Sequence, residues 1–137
     1  MMIRRDEALI KYLRDELPGR INEALSGDGA SIIRGLSRLC IEALNRSCGA
    51  LGVDCGGDEL VSAWRVMERV VELSGEFVLA RYMAIATSSS LIASVASPAI
   101  ADMLGRDLLT CVEKVRVMIL RMVEEGRPWR EIYGLGD

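Results

Sequence analysis

The sequence predicts an all-α fold, an antiparallel up-and-down bundle of about four helices. Three observations carry this. Apolar residues recur at three- and four-residue spacing from end to end. Caps and breakers (Asp28, Asp58, Ser97 with Pro98, and Gly126 with Pro128) punctuate that pattern. With 137 residues, half of them hydrophobic and 27% charged, the chain can bury one core of its own, so residues 1–137 read as a single domain.

The first helix is expected from about Arg4 to Leu25, with Leu9, Leu13, Leu17, Ile21 and Leu25 at four-residue intervals. Pro18 cannot donate to the carbonyl of Arg14, but the apolar phase continues across it, so a kinked helix is predicted. Gly27–Asp28–Gly29 makes a turn, and Asp28 caps a second helix over Ala30–Ser47, striped by Ile33, Leu36, Leu39, Cys40, Ala43 and Leu44. A glycine-rich loop follows from Cys48 to Gly57. It lacks the Gly-Lys-Ser/Thr ending and preceding strand of a phosphate loop.

The third helix is expected to start near Glu59, capped by Asp58, and to run at least to Ile85. Two stripes mark it. Leu60, Trp64, Met67, Val71, Val78 and Ile85 make one, and Ala63, Val66, Val70, Leu73, Phe77 and Ala84 the other. Together they cover more than half the circumference, as for a central helix packed on two sides or one meeting another subunit. Trp64, Phe77, Arg81 and Tyr82 are its candidate interface residues. Arg81 projects from the apolar arc and is expected to pair with a carboxylate.

Tyr82 to Ala101 contains no charged residue. Its serines, alanines and Pro98 argue against a membrane span and for close approach between helices or subunits. Ser97 and Pro98 then open a fourth helix, striped by Ile100, Leu104, Leu108, Cys111, Val115, Met118 and Met122, which stops at Gly126. The segment with Trp129 and Tyr133 folds back as a short turn.

Composition narrows function by exclusion. Histidine is absent, which removes Ser-His-Asp and Cys-His relays, imidazole ligands and histidine pH switches. No nucleophile sits in a recognisable setting, so the sequence points to a non-enzyme. A net charge of −3 with arginines interleaved among carboxylates is not the basic patch of a nucleic-acid binder. The charged start, Met1 to Asp15, is unlike a signal peptide and points to a cytoplasmic location. Cys40 and Cys111 fall on apolar stripes as small hydrophobes. Cys48 and Cys55 flank the glycine-rich loop and are able to pair, depending on compartment.

One polar strip carries chemistry. Arg65, Glu68, Arg69, Glu72 and Glu76 lie within roughly a 100-degree arc of the third helix, with Glu68, Glu72 and Glu76 one turn apart. Such a carboxylate row can share a cation, with iron, zinc, manganese and magnesium as candidates. The competing reading is a solvated face of local ion pairs, Arg65 with Glu68 and Arg69 with Glu72.

The run Trp64–Glu72, with Glu68-Arg69, the apolar pair Val70-Val71 and Glu72, resembles the helix signature of PhoU-type phosphate-uptake regulators. The likeness extends over about Ile32 to Met83. It implies a regulatory helical domain acting through a transporter or regulator partner, with iron or zinc at Glu68 and Glu72. Glu72 stands where the family prefers aspartate, and the family's second repeat is missing, so a complete unit would need a homodimer. The alternative is a bundle serving as a homo-oligomeric assembly or scaffold module.

Overall fold

A computed structural model describes residues 3–133. It is all-helical: α1 (Glu7–Lys11), a π-helical turn (Tyr12–Glu16), α2 (Leu17–Leu25), α3 (Gly29–Arg46), α4 (Glu59–Ser74), α5 (Val78–Thr87), α6 (Ser89–Val95), α7 (Pro98–Glu125) and α8 (Trp129–Ile132).

Local chemistry sets the boundaries. Asp6 accepts from the Leu9 amide, Asp28 from that of Ser31, Asp58 from those of Leu60 and Val61, and Ser97 from that of Ile100. Each side chain thereby satisfies an amide the helix leaves unpaired, which is worth about 1 kcal/mol. Gly75 and Gly126 close α4 and α7 in the left-handed conformation, at φ 75° and 66°, where a Cβ would clash. The kink expected at Pro18 is taken up one turn earlier. The Leu17 amide donates to Tyr12 O across the widened turn, and α2 then restarts with Pro18 in its first turn, where a missing N–H costs nothing.

α3 is the hub. It packs along α7 and also meets α2, α4, α5 and α6. Leu13, Leu17, Ile33, Leu36, Leu44, Met67, Leu79, Met83, Leu108 and Ile119 are fully buried in one contiguous core. Cys40 and Cys111 sit inside it with their sulfurs 3.8 Å apart. This contact and burial push the Cys111 thiol far up, so it behaves as the small hydrophobe its stripe predicted. A polar bridge ties the N-terminal segment to α3. Glu42 accepts from Arg20 at 2.8 Å and from Arg46 at 3.2 Å, and the Arg46 guanidinium lies 4.1 Å above the Tyr12 ring.

Two expectations are corrected. The third helix does not run unbroken to Ile85. Gly75 ends α4, and α5 starts anew at Val78 on a different heading. Arg81 is therefore not in an apolar arc: it is exposed on α5 and pairs with no carboxylate among the described residues. The uncharged stretch comprises the end of α5, all of α6 and the start of α7. Among the described residues no helix is long and apolar enough to cross a membrane.

Candidate interaction face on the fourth and fifth helices

Asp58 and Glu59 start α4 at the end of a loop fixed at both ends. Cys48 and Cys55 form a disulfide across it, the open alternative of the sequence resolved. Ala50 and Leu51 are buried beneath the loop, and the Ala50 carbonyl accepts from the Arg4 amide at 2.9 Å. The loop in turn steers the polar strip of α4, since Arg65 donates to the Asp54 carbonyl at 3.3 Å.

On α4 the two stripes separate by function. Ala63, Val66, Val70 and Leu73 are buried and make the core contact. Leu60, Trp64, Met67 and Val71 lie on the flank of that contact, about 100 degrees around the helix. With Ala80 of α5, the residues Trp64, Met67 and Val71 line an apolar groove of about 250 Å³, bordered by Glu68. Leu60 and Val61 are exposed at its head, and Trp64 is 39% exposed along it. Phe77, in the link between the helices, is 73% exposed. An aromatic ring so open to water is costly to leave there and is the kind of anchor that centres an interface.

The predicted interface residues are thus divided. Trp64, Phe77 and Arg81 are exposed, while Tyr82 is half-buried against the core. Ala80, the α5 wall of the groove, was not singled out from sequence. Only the Gly75 break, which swings α5 alongside α4, brings it there.

The glutamates form no row. Glu68 and Glu72 share α4 with Arg65 and Arg69, opening onto a shallow polar depression that reaches Asp54. Arg69 and Glu72 pair at 3.6 Å. Glu76 lies beyond Gly75, off the helix, and pairs with Lys114 of α7 at 3.6 Å. No group of three or more metal-ligating side chains converges among the described residues. The face is a mixed-sign charge strip beside an apolar groove.

Elsewhere, Leu91 and Val95 are exposed on α6, and a cavity of about 450 Å³ lies where α6 and the start of α7 meet the α2–α3 turn. No family model, curated protein or solved structure matches this chain.

Proposed function

We propose that this chain works by protein–protein association rather than catalysis, as a short antiparallel bundle built on α3 and α7 with the α4–α5 face as its docking surface. The observation that carries the reading is an apolar groove edged by the part-exposed Trp64, with the exposed Phe77 in the link between its two helices.

The occupant that fits is a second copy of the chain. Two helices of 16 and 10 residues side by side present a face of roughly 24 by 20 Å, about 480 Å² or somewhat over half of one partner's share of a standard interface. The strip Arg65, Glu68, Arg69 and Glu72 alternates in sign. It is therefore self-complementary when two copies of α4 meet antiparallel about a two-fold axis.

A regulatory role of PhoU type, with a transporter or regulator partner and iron or zinc at Glu68 and Glu72, rests on the resemblance over Trp64–Glu72, and Glu76 joins that set only by its one-turn spacing. Ion pairing of Glu72 and Glu76 speaks for the solvated-face reading of those carboxylates. Light scattering at tens of micromolar tests the proposal. A mass twice the chain's 15.0 kDa supports it, and a monomer at that concentration rejects it.

A further inference from the structure

On the opposite flank of α3, Arg34, Ser37, Arg38 and Ile41 face Glu59 of α4 and Ser89 of α6 across a cleft of about 220 Å³. Ser37 is 2% exposed, and its hydroxyl has no hydrogen-bond partner. A buried hydroxyl left unpaired costs about 1–3 kcal/mol, a cost that a bound hydrogen-bonding group would relieve. Directly beside it stand Arg34 and Arg38, one turn apart. Neither guanidinium makes a hydrogen bond or ion pair with a described residue. Arg34 acts on the Asp28 carboxylate only through space. In a chain whose other arginines are mostly spent on carboxylates, two adjacent open guanidiniums over an orphan hydroxyl are a distinct arrangement.

We propose that this cleft binds a tetrahedral oxyanion, a phosphate group, held between Arg34 and Arg38 with Ser37 donating from beneath. Guanidiniums bond anionic oxygens strongly and in fixed directions. A planar carboxylate offers two oxygens, whereas a tetrahedral anion offers one to each of three donors at once. The cleft would hold several waters at about 30 Å³ each, so it admits a phosphate with part of an ester substituent. The Glu59 carboxylate on the far wall opposes the anion and weakens the site. Free phosphate and a phosphorylated small molecule share this chemistry.

Amide NMR titrations of the full chain at constant ionic strength test it, with inorganic phosphate, glycerol phosphate and acetate in separate arms. Phosphate is expected to give saturable shifts around Ser37 and in the first turns of α4 and α6, with acetate much weaker. A tighter glycerol phosphate arm identifies an esterified ligand, and equal arms identify the free anion. The double variant Arg34→Gln/Arg38→Gln should weaken the phosphate constant by about tenfold or more, and Glu59→Gln should tighten it. Ser37→Ala should weaken binding while raising the melting midpoint of the anion-free protein, since it removes the orphan hydroxyl. No saturable shift with either phosphate compound, acetate binding as well as phosphate, or phosphate shifts unchanged in the double arginine variant would overturn the proposal.

Discussion

Removing the Cys48–Cys55 bridge is the perturbation whose size the structure sets most directly. The bond closes a loop with a sequence separation of seven. By the loop-closure relation, its loss returns about 2.4 kcal/mol of chain entropy to the unfolded state. The folded loop does not rely on the bond alone. Leu51 and Ala50 remain buried, the Val53 amide donates to the Cys48 carbonyl at 2.9 Å, and Arg4 still holds Ala50. The effect should therefore reside in the unfolded chain and leave the native structure intact. At ~2.1 cal/mol/K per residue, unfolding 137 residues carries about 0.29 kcal/mol/K, so 2.4 kcal/mol becomes a fall in Tm of about 8 °C. Calorimetry on the oxidised wild type and on Cys48→Ala/Cys55→Ala measures it, with alkylation under denaturing conditions confirming the bridge. An unchanged Tm would rule out an entropic role for the bridge, and a variant with no cooperative transition would make the bond a requirement of the native loop.

Four further outcomes follow from local features. Tyr12→Phe should be neutral or stabilising by up to about 1 kcal/mol, because the Tyr12 hydroxyl is buried without a partner while the ring's contact with Arg46 survives; urea titration reads it. Burial alone would raise the Glu42 carboxyl, but the hydrogen bonds from Arg20 and Arg46 outweigh it and hold the group below its ordinary value. Its contribution is thus present above the unfolded carboxyl range and lost as pH falls through the lower folded value, so Glu42→Gln should destabilise at pH 7 and lose that effect in acid melts. Gly75→Ala should cost about 1 kcal/mol in chemical denaturation, since φ 75° is strained for any side chain. With Cys48 and Cys55 bonded and Cys40 and Cys111 buried, native protein should show no thiol reactive to a small disulfide reagent, and two should appear on denaturation.

Helix boundaries fixed by short-range chemistry were legible in the sequence. Asp28, Asp58, Ser97 and Gly126 do at their positions what their side chains or φ preferences dictate. Gly75 was the exception. It falls where the apolar period of α4 runs on in phase toward Val78 and Ile85, so periodicity alone conceals a break that one left-handed glycine makes. The breadth of the apolar arc came from adding two helices that point different ways. Once they are separated, one stripe of α4 is core, and the other passes from the core at Met67 to the groove edge at Trp64 and Val71. The same break moved Arg81 to solvent and Glu76 to Lys114, which periodicity on one long helix could not show. Trp64 and Phe77 stood out in the sequence as large aromatics on an overly wide apolar arc, and both are exposed. The Arg34–Ser37–Arg38 cluster was not, because Arg34 and Arg38 look like any solvated pair until Glu59 and Ser89 close the cleft over an unbonded hydroxyl.

Association through the α4–α5 face is tested most directly by sedimentation of wild type against Phe77→Glu. Phe77 is largely exposed in the single chain, so the substitution leaves folding intact and places a charge where the ring would be covered. Losing an aromatic anchor costs at least about 2 kcal/mol, and therefore about thirtyfold in dimer affinity. A wild-type dimer at tens of micromolar and a folded, monomeric Phe77→Glu variant are expected. Identical sedimentation of the two proteins, whether both dimeric or both monomeric, would contradict that association.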